Sequence, residues 1–283
     1  MIIFKHPADI HSYCSSKTAA NTTIGFVPTM GALHSGHTSL VKRARNENQL
    51  VICSIFVNPT QFNDPRDFEK YPSTIENDIL LLERSGCDVL FLPSVKDIYP
   101  EGIKAVHHYE LGYLEQILEG EFRPGHFQGV CQVVHRLLDI VAPRKLYLGQ
   151  KDYQQCMILK RMIMLTGIAT SIVVCETLRE PDGLAMSSRN LRLTAMERKT
   201  APAIYQALRE IEQQITPGDT GDLKRNAAAF LTQQGFKVDY VEIADASDLQ
   251  VIQQWNGETA LVVLAAAFLN EIRLIDNLVL SAS

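Results

Sequence analysis

The sequence lacks the cysteine pattern of a secreted or zinc-bound protein. Its six cysteines, at positions 14, 53, 87, 131, 156 and 175, form no C-x-x-C pair and no Cys/His cluster at zinc spacing, so they read as reduced thiols of a cytoplasmic chain. Positive charge is not in excess. A net charge of −5 argues against broad binding to a phosphate backbone, so no nucleic-acid partner is expected, and any basic residue that matters acts locally. Long hydrophobic runs are missing too. The longest, Ala260 to Leu269, falls short of the ~20 residues that cross a bilayer. The opening MIIFKHPADI has no charged stretch followed by a long apolar one, so neither a signal peptide nor a membrane partner is expected. No G-x-x-x-x-G-K-[ST] occurs, which argues against a P-loop, and there is no internal repeat. What remains is an ordinary globular composition, 46% hydrophobic and 21% charged. The 283 residues suggest two domains, since single cores stop growing near ~250–300 residues.

The first patterned stretch, Ile24 to Arg45, reads IGFVPTMGALHSGHTSLVKRAR: a buried strand to Val27, a turn marked by Pro28, Gly31 and Gly36, and a helix from about Thr38 or Ser39. His34 and His37 stand at its mouth. Unpaired N–H groups and a partial positive charge at a helix start favour an anion such as phosphate, and imidazoles three apart would face it. The same letters also fit a βα turn with incidental histidines. LVICSIFV, residues 50 to 57, is a strand buried on both faces. It runs into the proline-bearing loop NPTQFNDPRDFEKYP, where Asn58 and Gln61 are placed for a small polar substrate or simply face water. Ser73 with Glu76 would cap a helix to about Ser85, and DVLFL (88–92) is a further strand. His107 to Leu111 reads as an edge strand and Leu111 to Leu118 as a short helix.

EGEFRPGHFQG holds Arg123 and His126, with Phe122 and Phe127 placed to bury it, and Phe127 to Val141 carries a helical apolar stripe. KLYLG (145–149) is a strand that opens directly onto Gln150-Lys151-Asp152 and a helix to about Thr166. SIVVC (171–175) closes the layer. Alternation of strands and helices predicts an α/β parallel sheet with right-handed crossovers. A domain boundary is expected near residue 176, giving domains 1–176 and 177–283, with the loop TLREPDGLAMSSRNLRLT at the junction. The second part is expected to be a smaller α+β domain: helices over Ala195 to Gln214 and Leu223 to Gln234, then strands Val238 to Ile243, Glu258 to Ala267 and Glu271 to Val279.

Four polar clusters stand at strand ends or in the junction loop: His34/His37, Gln61, Lys151/Asp152/Gln155 and Ser187/Ser188/Arg189. A triphosphate site needs this inventory, because helix-start amides, cations and imidazoles together meet phosphate oxygens that gain charge during transfer. Taken singly, Lys151 also fits a surface lysine, Asp152 the cap of its own helix, and MSSR a loop leading to Thr194.

PTMGALHSGH, FVNPTQF, RPGHFQGV, LGQKDYQQ and DGLAMSSRN, in this order and spacing, resemble the pantoate–β-alanine ligase (pantothenate synthetase) family, within the H-x-G-H nucleotidyltransferases. The resemblance covers about residues 24 to 200. It implies a Rossmann-like N-terminal domain, a C-terminal lid, a homodimer, and ligation of pantoate to β-alanine through an adenylate. It further implies that Met30, Gly31, Ala32, Leu33, His34, Ser35, Gly36 and His37, then Gly149, Gln150, Lys151 and Asp152, contact ATP. Met186, Ser187, Ser188 and Arg189 would close on the phosphates, and Leu178 would meet adenine through its backbone. His37 is implied as catalytic, with His34, Lys151 and Arg189 beside it. Gln61 and Gln155 would hold pantoate, Gln61 also lying near β-alanine. Gln150 departs from a glutamate often found there. Mg²⁺ is expected on the phosphates, with no protein-only metal site. Another H-x-G-H nucleotidyltransferase, and a nucleotide-sensing module without turnover, are the competing readings.

Overall fold

In the computed structural model, residues 1–63, 68–103 and 107–280 are described; the middle of the predicted loop after Asn58, residues 64–67, lies outside them. The chain forms two compact units, Met1–Gly149 with Gln154–Glu176, and Gln150–Tyr153 with Thr177 onward.

The first unit is a parallel sheet of β1 (Ile2–Phe4), β2 (Ile24–Thr29), β3 (Leu50–Ile55), β4 (Val89–Phe91), β5 (Lys145–Gly149) and β6 (Ser171–Cys175), in the order β1-β4-β3-β2-β5-β6. Side chains alternate strictly between its faces, as the pleat requires. Ile24, Phe26, Leu50, Ile52, Val89, Phe91, Leu146 and Leu148 join one core, with α1 (Pro7–Ala19), α4 (His126–Val141) and α5 (Tyr153–Thr166). Val27, Val51, Cys53, Ile55, Leu90 and Tyr147 join the other, with α2 (Ser35–Glu47) and α3 (Ile75–Arg84). Helices on both faces explain why the central strands read as unbroken apolar runs.

Chain direction across the sheet reverses at β2: β3 and β4 lie to one side of it, β5 and β6 to the other. That reversal is a topological switch point, where open α/β sheets take ligands. The strands diverge there. β2 is paired with β3 along its whole length, from Ile24 to Thr29, but with β5 only at Gly25 and Phe26.

Several expected elements differ. The helix after β2 starts at Ser35, a turn earlier than the apolar period suggests. The 75–84 helix is preceded by Thr74, which makes no side-chain cap; Ser73 and Glu76 form no capping box, and acidic Glu76 and Asp78 occupy the first turn instead. His107 to Leu111 is not a strand, and the following helix shrinks to a 3₁₀ turn, Gly112–Glu115. The predicted helix from Ala195 to Gln214 is broken into α6 (Ala195–Thr200) and α7 (Ala203–Gln214), since Pro202 has no N–H to continue the ladder.

The second unit holds an antiparallel sheet of β8 (Phe236–Asp245), β10 (Leu261–Leu269) and β11 (Ile272–Leu280), with β10 central, and a two-residue ladder of β7 (Gly218–Asp219) with β9 (Gln254–Trp255). One face packs on α7 and α8 (Gly221–Gln233) around Ile204, Leu208, Leu231, Val263 and Leu274. A parallel α/β sheet followed by a smaller α+β part is the architecture the alternation predicts. Among the described residues, no helix is long and apolar enough to cross a membrane.

Candidate active site

Met30 to His34 form the turn joining β2 to α2, and Ser35 to His37 the first turn of that helix, at the switch-point end of the sheet. The turn is held from below. Asp78, 1% exposed on α3, accepts the Ala32 N–H at 2.9 Å on one carboxylate oxygen and the Leu33 N–H at 2.8 Å on the other. The Thr74 hydroxyl donates to Asp78 at 2.9 Å, and the Thr29 hydroxyl accepts the Gly31 N–H at 3.2 Å while donating to the Ser54 carbonyl at 2.8 Å. Gly31 and Ala32 both have positive φ, +84° and +48°. Glycine adopts that conformation without penalty, whereas alanine must be held in it, and the Asp78 carboxylate is the group that holds it.

His34 is the N-cap of α2. Its Nδ1 accepts the Gly36 N–H at 3.1 Å, and the His34 N–H donates to His37 Nδ1 at 3.4 Å, a capping box built from imidazoles. The rings lie 4.1 Å apart, tilted by 45°. Because Nδ1 of each ring accepts from backbone, the proton of each neutral imidazole sits on Nε2. Both histidines are thereby set as Nε2–H donors at a helix start, the arrangement that stabilises charge growing on an anion.

Gln61 adjoins this turn: its Nε2 lies 3.0 Å from the Met30 sulfur. Its Oε1 accepts from Asn58 Nδ2 at 3.1 Å, and its backbone carbonyl accepts from His126 Nδ1 at 2.7 Å and from Arg123 at 3.5 Å. Asn58, placed by the sequence either for a polar substrate or facing water, does not face water: it is 1% exposed, and donates to the Gly129 carbonyl while accepting from Thr60 and Tyr99. Burial pushes the Tyr99 phenol above its ordinary pKa, so it remains a donor. At Gly129 the α-carbon is so close to the 58–61 turn that a Cβ would stand 2.3 Å from the Thr60 oxygen. Sequence reasoning singled out Arg123 and His126 without a role; they fasten Gln61. Phe122, expected to bury this segment, is 42% exposed, and Phe127 alone goes into the core.

Gln154 and Gln155 part company at the start of α5. Gln154 is buried and clamps the preceding loop, accepting the Glu119 N–H at 3.0 Å and donating to the carbonyls of Leu114 and Ile117 at 2.7 and 2.9 Å. Gln155, about 100° further round the helix, is half-buried on another face.

In the second unit, Gln150, Lys151 and Asp152 form one 3₁₀ turn directly after Gly149, with Lys151 half-buried and Asp152 exposed. The backbone carbonyls of Gln150 and Lys151 each accept from Asn277 Nδ2 at 2.9 Å. Behind Asn277, burial pushes the Asp276 carboxyl up from its ordinary pKa against the pull of Arg179, which grips it at 2.6 and 3.0 Å. Leu178 and Met186, eight positions apart, are brought together: the Met186 N–H donates to the Leu178 carbonyl at 3.0 Å across a turn through Gly183. Ser187 caps the following 3₁₀ helix, accepting the Arg189 N–H at 3.3 Å, and Ser188 is buried.

Together, a doubly wound sheet and a histidine-capped helix start at its switch point define an α/β protein built to hold a phosphate-bearing ligand. The relatives narrow that class. A family model described as pantoate-beta-alanine ligase matches residues 2–279. The chain is 42% identical over 283 residues to the pantothenate synthetase of Cytophaga hutchinsonii, with 99% of each covered. It is 46% identical over 261 residues to that of Thermotoga neapolitana, covering 91% of this chain and 92% of the relative. Crystal structures of pantothenate synthetase from Thermus thermophilus and of pantoate-beta-alanine ligase from Francisella tularensis, the latter complexed with beta-gamma ATP and beta-alanine, superpose with TM-scores of 0.87 and 0.83. They are 40% and 42% identical, cover 98% of this chain in both cases, and are themselves covered to 99% and 97%. The chain belongs to the pantoate-beta-alanine ligase family.

Proposed function

We propose that the chain condenses (R)-pantoate with β-alanine, using ATP, in two half-reactions. In the first, a pantoate carboxylate oxygen attacks the α-phosphorus of ATP; the bond from that phosphorus to the β-bridging oxygen breaks, and pyrophosphate leaves. In the second, the β-alanine amine attacks the carbonyl of pantoyl adenylate, loses a proton, and expels AMP to leave pantothenate. Adenylation turns a poor leaving oxygen into a good one. The observation that carries this reading is the juxtaposition of a neutral amide, Gln61, with the His34/His37 turn through Met30. A phosphorylated acceptor would call for cations beside the turn, whereas a carboxylate that carries hydroxyl groups is met by amides.

His37 and His34 donate Nε2–H to the oxygens of the α-phosphate as it becomes pentavalent. Gln61 and Gln155 hold pantoate, and the β-alanine amine enters beside Gln61. Met30 through Ser35 and Gly36 line the nucleotide's path with Gly149, Gln150 and Asp152, while Leu178 meets adenine through its backbone. Lys151, Ser187, Ser188 and Arg189 meet the leaving pyrophosphate, Met186 preceding them in the loop. Motif resemblance supports these assignments. Mg²⁺ would enter with ATP as part of the substrate, carried by phosphate oxygens whose charge it would neutralise. Family membership supports a cytoplasmic homodimer.

The test is pyrophosphate exchange into ATP. Exchange is expected to require pantoate and to proceed without β-alanine; exchange without pantoate, or dependence on the amine, contradicts the order. His37→Ala is expected to slow exchange by about 10²–10³-fold, the usual loss for one donor to a developing charge, with an unchanged fold by circular dichroism. A turnover close to wild type would remove His37 from the chemistry.

A further inference from the structure

The contacts that fix Lys151 come from the far end of the chain. A single 3₁₀ turn such as Gln150–Asp152 has no intrinsic stability, so whatever binds its carbonyls decides where the lysine begins. That partner is Asn277 on β11, 2% exposed and opposite Leu264 in the register with β10. Its Nδ2 spans two successive carbonyls, Gln150 and Lys151, at 2.9 Å each, while its Oδ1 accepts from Gln150 Nε2 at 3.2 Å. Both polar atoms of the amide face one turn.

Asn277 is itself braced. The neighbouring Asp276, 2% exposed, accepts the Asn277 N–H at 2.8 Å and takes Arg179 through both terminal guanidinium nitrogens. Arg179 also donates to the Asn277 carbonyl at 3.1 Å and to the Gly183 carbonyl at 3.1 Å, and its guanidinium stacks 3.9 Å over the Tyr205 ring. A bidentate pair stacked on an aromatic ring allows little rotation, so the amide is presented from a rigid base. Three segments far apart in sequence thus converge on the backbone of one lysine.

We propose that Asn277 is a positioning residue for the adenylation step, holding the Gln150–Lys151 backbone so that the Lys151 ammonium is delivered to the phosphates of ATP, with Asp276 and Arg179 as its brace. This rests on Lys151 being the phosphate-binding lysine. At position 150, where the chain departs from a glutamate, the Gln150 side chain donates to the same amide.

A double-mutant cycle of Asn277→Ala and Lys151→Ala tests it, read by pyrophosphate exchange and by single-turnover amide formation from preformed pantoyl adenylate. Asn277→Ala is expected to lower exchange by about a hundredfold, the scale of a 1 Å misplacement, and to leave amide formation within about twofold of wild type. In the Lys151→Ala background the same substitution is expected to cost nothing further. If Lys151→Ala exchanges like wild type, the reading of Lys151 fails. If Lys151→Ala is slow and Asn277→Ala costs the same factor in both backgrounds, or slows both half-reactions alike, the positioning role fails while that of Lys151 stands. Should Asn277→Ala not fold by circular dichroism, Asn277→Asp keeps the shape and drops both donors. It is expected to show the same coupling, and wild-type exchange in that variant would overturn the proposal.

Discussion

Gly129→Ala tests whether the grip of α4 on the 58–61 turn sets Gln61, the amide proposed to hold pantoate. An added Cβ would stand 2.3 Å from the Thr60 oxygen, 2.6 Å from its carbonyl carbon and 2.9 Å from the Gln61 nitrogen, where ordinary contacts begin at 3.4 Å. All three neighbours are backbone, so no side chain can swing away. The turn must retreat from the helix by about 1 Å, or the helix from the turn, at the roughly 1–3 kcal/mol of an overpacked site. That movement acts on Gln61 directly, because His126 and Arg123 hold its carbonyl and Asn58 bonds both the Gly129 carbonyl and the Gln61 side chain. A shift of that size in a positioning group costs on the order of 10²-fold in rate. The expected outcome is therefore a fall of about 10²-fold in kcat/KM for pantoate, with the KM for ATP little changed and the melting temperature lowered by roughly 2–10 °C. Steady-state kinetics with pantoate as the varied substrate, alongside a thermal melt, measure both. A variant with wild-type kcat/KM for pantoate would refute the reasoning, even if it melted earlier.

Two further substitutions probe the supports. Asp78→Ala removes the acceptor of the Ala32 and Leu33 N–H groups, both on buried residues, and is expected to cost about 2–6 kcal/mol in an unfolding titration, at ~1–3 kcal/mol per stranded group; a cost below about 1 kcal/mol would show that the carboxylate does not hold the turn. Glu47 reports on pH. Hydrogen bonds from Lys145 and then Tyr147, with Arg43 adding to them, lower its carboxyl from the ordinary 4.5 to about 2. A depressed folded-state pKa means that the contribution is complete above about pH 4.5 and is lost as pH falls toward 2, so the melting-temperature gap between wild type and Glu47→Gln should close over that window. A gap that widens on acidification contradicts the assignment.

What was legible in the sequence was whatever the chain writes contiguously. β2, β3 and β5 announce themselves because burial on both faces needs unbroken apolar runs, and the polar residues that follow them mark the ligand-facing end of the sheet. The start of α2 was misplaced by a turn because its cap is a histidine, and the usual signal is Ser, Thr, Asp or Asn. β1 and α1 carry no such signal: three residues of edge strand, and a helix with only Ile10 and Cys14 fully buried, are too weakly patterned to stand out.

The supports of the candidate site were illegible for a different reason, and it bears on how the chemistry is built. Asp78, Gly129 and Asn277 act on residues 45, 68 and 126 positions away, respectively, and no local pattern encodes a partner at such distance. Even adjacency misleads, as Gln154 and Gln155 show: one residue of helix rotates the side chain by about 100°, so one glutamine locks a loop in the core while its neighbour stays half-buried on another face. Three of the turns proposed to meet ATP and pantoate, at 30–34, 58–61 and 150–152, thus have little rigidity of their own, and each is pinned by a buried polar side chain from another element: Asp78, His126 and Asn277 respectively. Such a side chain can make its bonds in only one arrangement, since leaving a buried donor or acceptor unpaired costs ~1–3 kcal/mol. Positioning to within a fraction of an ångström, which charge stabilisation at phosphorus demands, follows from that penalty rather than from the strength of any one bond.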